Sequence, residues 1–235
     1  MIRGFWAIIN GIIWTTIIGT VGSISSLVEP NKGKTMGNCA RLWAKIILFT
    51  CRIPYKVIGL KYLNPKEQYI FAGNHGSLFD IPLAFATLPY WLVPVAKIEL
   101  KKVPLLGWVM NSGGHIFVDR SSHEKAIISM QNARDSLIEN PRSILLWPEG
   151  SRSDDGSIRT FKRGGLSISM ETGMSVVPIA FFDTYKLHRR GSLKLKKIPV
   201  EVRIGKPIKV KNFNKDVKKE FIKSIRDAVI KLNSN

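Results

Sequence analysis

Residues 5–28 contain no charged side chain, and this run constrains the fold more than any other feature of the 235-residue chain. A helix of that length is about 36 Å long, enough to cross a hydrocarbon core of about 30 Å. Asn10, Gly11, Gly19, Gly22 and several Ser and Thr interrupt it, so it is only moderately apolar. Three arrangements compete. A secretory signal would start at Arg3 and be cut near Val21-Gly22-Ser23, but its apolar region is too long. A true span, with Lys32, Lys34, Arg41 and Lys45 outweighing Arg3, would leave the body of the protein cytoplasmic. A helix dipping into one leaflet meets the same composition.

The next segment, residues 39–51, mixes Leu42, Trp43, Ile46, Ile47 and Phe49 with Arg41 and Lys45. Helical spacing with a basic side is the pattern of an interfacial helix. Two N-terminal helices are therefore expected to dock on a bilayer. The net charge of +19 is divided unevenly. Residues 1–60 carry seven Lys/Arg against one acid, 61–185 carry thirteen against twelve, and 186–235 carry sixteen against four. Basic ends attract nucleic acid, anionic lipid or acidic protein. Joined to a charge-free helix they suit an anionic lipid surface best, and nucleic acid is not an expected partner.

Beyond residue 54, short apolar runs alternate with amphipathic stretches. Strands are predicted at 55–60, 68–73, 91–96, 114–118, 142–147, 175–182 and 199–205. Helices are predicted at 78–88, 122–139, 164–173 and 214–232, with a short turn of helix near 104–111. The alternation predicts an α/β fold: a mixed, largely parallel sheet flanked by helices, preceded by the two membrane-docking helices. The expected division is 1–54 for the membrane-associated helices and 55–235 for one α/β domain. Segments 30–38 and 186–197 read as flexible or surface connections. Phe213, Val217, Phe221, Ile225 and Val229 give the last helix a core-like stripe, with lysines outside it. Cys39 and Cys51 read as buried free thiols, and no His/Cys cluster has metal-ligand spacing.

Four blocks follow predicted strands, where α/β proteins tend to place ligands. Asn74 and His75 come first, with Asp80 five positions after the histidine; a carboxylate there can fix the imidazole tautomer and support its charge. The alternative is a histidine near a helix start with an acid favoured by the helix dipole. Gly113-Gly114-His115-Ile116-Phe117-Val118-Asp119-Arg120 ends in a guanidinium suited to phosphate or carboxylate, unless Asp119 and Arg120 form a surface pair or Asp119 is a helix-start acid. Trp147-Pro148-Glu149-Gly150-Ser151-Arg152 offers amides and an arginine for an oxyanion, or is an ordinary turn. Phe161-Lys162-Arg163-Gly164-Gly165 adds cations nearby. Val176-Val177-Pro178-Ile179 reads as a wall strand, with Pro178 hinting at an edge or a bulge.

In this order the blocks resemble the glycerophospholipid acyltransferase superfamily, in particular its 1-acylglycerol-3-phosphate acyltransferases. The His-x4-Asp block is matched by His75 and Asp80. The third block usually reads Phe-Pro-Glu-Gly-Thr-Arg, and here Trp147 and Ser151 replace its Phe and Thr. Lys97, Glu99, Leu100, Pro104 and Gly107 are similar to the family's lysine-bearing segment. The resemblance covers roughly residues 55–205. It implies acyl transfer from acyl-CoA or acyl carrier protein to the sn-2 hydroxyl of a lysophospholipid acceptor, making phosphatidic acid, without cofactor or metal. His75 and Asp80 would be catalytic; Lys97, Arg120, Glu149, Gly150, Ser151 and Arg152 would bind substrate. No Gly-x-Ser-x-Gly is present, so direct general-base attack is expected rather than an acyl-enzyme. The resemblance further implies an inner or plasma membrane location with the catalytic domain on the cytoplasmic side. Rival readings are another lysolipid or glycerol-3-phosphate as acceptor, or a non-catalytic membrane-surface protein.

Overall fold

The computed structural model describes residues 1–29, 33–209 and 215–234, the first three of the last group by backbone alone. All seven predicted strands form: β1 (Tyr55–Ile58), β2 (Tyr69–Gly73), β3 (Leu92–Lys97), β4 (Ile116–Val118), β5 (Ser143–Leu146), β6 (Ser175–Phe182) and β7 (Val200–Ile204). They make one sheet in the order β1-β7-β6-β2-β5-β3-β4. Every neighbouring pair is parallel except β6 and β7. The expected mixed, largely parallel α/β fold is the observed one. Strands β2 and β5 are buried at every residue, as the continuous apolar runs of central parallel strands require.

The helices are α1 (Ile2–Ser25), α2 (Lys34–Thr50), α3 (Asp80–Thr87), α4 (Leu106–Ser112), α5 (His123–Glu139), α6 (Arg163–Thr172), α7 (Thr184–Leu187) and α8 (Lys215–Ser234). Successive side chains of a strand point to opposite faces, so the sheet has two cores. Tyr69 and Phe71 of β2 join Ala44, Ile47 and Leu48 of α2 and Leu83 of α3. Ile70 and Ala72 join Ala133 of α5, Leu166 of α6 and Ile225 and Val229 of α8. Phe221, Ile225 and Val229 thus fill the places their spacing predicts, whereas Phe213 and residue 214 lie outside the described residues.

Several expectations need correction. Residues 34–38 are the first turns of α2 rather than connection; Glu29 holds that helix start by accepting from the amides of Gly33 and Thr35. Residues 30–32 of the same prediction lie outside the described residues. Segment 186–197 is anchored, with Leu187 and Leu195 buried in the core. The fourth strand starts two residues late because Gly114, at φ +69°, closes α4, and the His115 amide donates to Met110 O. Pro178 lies on an interior strand, not an edge. On its β7 side the ladder begins at Ile179, and an isolated bridge at Val176–Ile208 resumes it, so the missing N–H falls where pairing is interrupted.

The long apolar helix α1 is tied to the rest of the chain along its whole length. A Cβ on Gly4 would collide with the Leu193 carbonyl, one on Gly19 with Val109 and one on Gly22 with Met36. Arg3 and Trp6 donate to the carbonyls of Cys51 and Thr50 at the end of α2. Its outer side leaves Phe5, Ile9, Ile12, Ile13, Ile17, Val21 and Ile24 exposed, joined by Leu42 and Phe49 of α2. By length and composition α1 is able to cross a bilayer.

Behind β4, Arg142 is buried and donates to the carbonyls of Gly114, Ser136 and Asn140. His115 stands beside it. Burial, with a smaller push from the Arg142 charge, lowers the imidazole to about 4. An unfolded histidine titrates near 6.5, so between about pH 6.5 and 4 the unfolded chain takes up a proton that the folded chain refuses. Stability should therefore fall over that window, by about 3 kcal/mol in total from this group. In His115→Leu the acid-side loss measured by urea unfolding at pH 7, 6, 5 and 4 should be correspondingly smaller.

Candidate active site

The carboxyl ends of β2 and β5, neighbours in the sheet, bring the two most informative blocks together. Asn74 closes β2 by a two-way clamp on β6: its Oδ1 accepts from Phe181 N at 2.8 Å and its Nδ2 donates to Phe181 O at 3.2 Å. The chain then turns before α3 begins. Asp80 is the first residue of that helix and is completely buried. Its Oδ2 accepts from the amides of Gly76 and Ser77, both at 2.9 Å, and lies 2.7 Å from His75 Nδ1. Ser77 Oγ accepts from Phe79 N, so both serine groups are spent on the turn. This turn explains why α3 starts at Asp80 rather than at 78.

Five residues along one helix would set the two side chains about 140° apart, so they meet only because His75 precedes the helix and reaches back. An ionised carboxylate can only accept, which makes Nδ1 the donor and leaves Nε2 as the acceptor nitrogen. The ring stacks on Trp147, with centroids 4.4 Å apart and planes 24° from parallel. An aromatic at that block position therefore packs against the imidazole.

The family resemblance implies a substrate-binding role for Glu149. It is buried, and its oxygens accept instead from two backbone amides, His75 N at 3.0 Å and Arg159 N at 2.9 Å. Burial raises its carboxyl above the usual range, against the pull of those two amides. Ser153 N donates to His75 O at 2.7 Å, so loops after β2 and β5 are bound twice. Gly150, at φ +81°, donates its amide to Trp147 O. Its own N–H is therefore committed to the turn, while the amides of Ser151 and Arg152 donate to no protein acceptor among the described residues.

One cavity of about 1260 Å³ runs past this floor. His75, Lys97, Arg120, Gly150, Ser151 and Arg152 all line it; Asp80 and Glu149 stand behind the wall. Asp119 pairs with Lys125 and bonds Ser121 N, so Arg120 is left to the cavity. The other arm is apolar and bounded by Ile18 and Gly19 of α1, Met36, Ala40 and Trp43 of α2, and Val109 and Met110 of α4.

Two basic residues were not singled out by sequence. Arg190, in the segment after α7, lines the cavity on the Arg152 side; its charge helps to lower Arg152, whose Nη1 is buried with no partner among the described residues. Burial is the larger cause of the lowered Arg152. Arg159 donates to Ser151 Oγ and Arg152 O and shapes the loop from outside. Its own carbonyl is held by Arg226 of α8. No local pattern marks either residue, because their significance depends on loops distant in sequence.

A family model described as "Acyltransferase" matches residues 54–182, just over half of the chain. The 1-acyl-sn-glycerol-3-phosphate acyltransferase of Saccharomyces cerevisiae is 30% identical over 221 residues, 90% of this chain and 70% of that one. The protein of that name from Limnanthes douglasii is 30% identical over 186 residues, 79% of this chain and 66% of that one. The chain thus spans about two thirds of the length of this plant relative. The crystal structure of the 1-acyl-sn-glycerophosphate acyltransferase of Thermotoga maritima superposes with a TM-score of 0.83, covering 100% of this chain and 96% of that one at 22% identity, a likeness of fold. With the family's domain spanning both the His75–Asp80 floor and the Arg152 loop, the chain belongs to the acyltransferase family.

Proposed function

We propose that this chain transfers a fatty acyl group from a thioester, carried on coenzyme A or acyl carrier protein, to the sn-2 hydroxyl of 1-acyl-sn-glycerol-3-phosphate. The observation that carries this reading is one cavity with an imidazole–carboxylate pair on its floor, basic side chains on one arm and an apolar second arm. The curated relatives bear the matching name.

In the mechanism, His75 Nε2 accepts the proton of the acceptor hydroxyl as its oxygen attacks the thioester carbon. Asp80 holds the ring through Nδ1 and stabilises the imidazolium. Amides of Ser151 and Arg152 receive the tetrahedral oxyanion. Collapse breaks the carbon–sulfur bond; the thiolate takes the proton back from Nε2, leaving an ester and a free thiol. Arg120, Lys97, Arg152 and Arg190 hold the acceptor phosphate. Glu149 positions His75 and the oxyanion loop without touching substrate.

The contacts of α1 along its whole length favour a helix lying in one leaflet over one crossing the bilayer, with the catalytic body on the cytoplasmic face of the inner or plasma membrane. Anionic lipid is the partner surface of the two N-terminal helices.

The deciding experiment is mass spectrometry of products from a mixed pool of lysolipids and acyl thioesters. Phosphatidic acid should dominate, and a different acylated lipid as main product would overturn the acceptor. His75→Ala should lower turnover by about 10²–10⁴-fold while vesicle binding is retained. Arg152→Ala and Arg190→Ala should each raise the acceptor KM by about tenfold and leave the thioester KM within about twofold. Glu149→Gln can accept from only one of its two amides, so kcat should drop by about tenfold or more with little change in either KM.

A further inference from the structure

The segment after β3, from Ile98 to Trp108, is built as a rigid projection. A 3-10 helix at Ile98–Lys102 leads into Leu105, a non-glycine residue at φ +62° and ψ −57°, and Leu106 N donates to Pro104 O at 2.7 Å. That is a positive-φ γ-turn, a rare and strained conformation in an L-residue. Gly107 then packs so closely that a Cβ would lie 2.1 Å from Lys101 O. The outcome is six consecutive exposed residues, Glu99-Leu100-Lys101-Lys102-Val103-Pro104, followed one helical turn later by Trp108 at 47% exposure.

Strain held by such close packing calls for a use of the projecting side. Its inner side already has one, since Leu100, Leu106, Val109 and Met110 line the substrate cavity. Its exposed residues include Val103 and Trp108 with two lysines, Lys101 and Lys102, against one acid, Glu99. An aromatic, an aliphatic and flanking ammonium groups are the composition that seeks the headgroup boundary of an anionic bilayer. The projection also adjoins α1: Val109 packs on Gly19, which sets Trp108 at the flank of the long helix with its exposed apolar residues.

We propose that the 98–108 projection is a membrane-inserting rim of the cavity, with an anionic lipid surface as its occupant. It dips Val103 and Trp108 into the leaflet beside α1, so a lysolipid passes from the bilayer into the cavity under Leu100 and Leu106 with little exposure of its chain to water. This rests on the docking of α1 proposed above.

The test places a benzophenone side chain at Val103, Trp108, Ile12 or Ile138 in the full-length protein and irradiates it on vesicles of equal phosphatidylglycerol and phosphatidylethanolamine. Ile12 is 62% exposed on α1 and Ile138 is 65% exposed on α5. Lipid adducts are expected at 12, 103 and 108 and not at 138. Adducts at 12 without any at 103 and 108 would overturn the rim and leave α1 docking intact. No adduct at 12 would overturn the docking itself. A functional arm uses Val103→Asp/Trp108→Asp, whose side chains do not line the cavity. Acyl transfer to lysophosphatidate embedded in those vesicles should fall by about tenfold or more, while transfer to a monomeric short-chain lysophosphatidate stays within about twofold. Equal losses on both acceptors, or no loss on either, would overturn the proposal.

Discussion

Everything at the site depends on how the Asp80 carboxylate is held. A fully buried carboxylate is costly unless it is hydrogen-bonded, and here Oδ2 alone collects two backbone amides and an imidazole at the N-terminal end of a helix, while Oδ1 is buried without a partner among the described residues. The amides come from Gly76 and Ser77, so the same oxygen that orients His75 also sets the path of the turn that carries it. Removing the charge would release the turn and the ring together. The strand before the turn is held separately by the Asn74 clamp on Phe181, which ties the end of β2 to β6. The imidazole therefore stands on a support whose parts are each fixed by hydrogen bonds to backbone.

Around this floor the fold divides its labour by sheet position. The loops after the central strands β2 and β5 carry the histidine and Gly150–Arg152, β3 ends in Lys97, and Arg120 follows the edge strand β4 by two residues. The N-terminal helices close the apolar arm, which makes them part of the cavity wall as well as an exposed apolar surface. α2 further contributes Ala44, Ile47 and Leu48 to the main core. A boundary at residue 54 is thus a boundary of sequence pattern, across which one core is continuous.

Much of this was legible beforehand. The seven strands were readable because buried parallel strands are short apolar runs flanked by turn residues, and that signal is local. The spacing of His75 and Asp80 left a helix-dipole reading open; the family resemblance made the pair catalytic, and helix geometry then required His75 to stand in the turn before the helix. What failed to show was whatever depends on a partner far along the chain. Glu149 looks like a substrate ligand in its motif, and the sequence does not show that each of its oxygens accepts from a backbone amide, His75 N and Arg159 N. Arg190 sits in a segment without periodicity, and only the folding of that segment over the cavity places it beside Arg152. The helical start at residue 34 was hidden because its capping carboxylate, Glu29, lies outside the helix it holds.

The Glu149 bridge has a consequence for how the site tolerates change. One carboxylate fastens the backbone of the residue expected to take the proton to the loop expected to receive the oxyanion, though the two are 74 positions apart. Disturbing either loop displaces the other through a shared, buried partner. Losses from single substitutions in the two loops should therefore not multiply, since the first already disorganises what the second would remove.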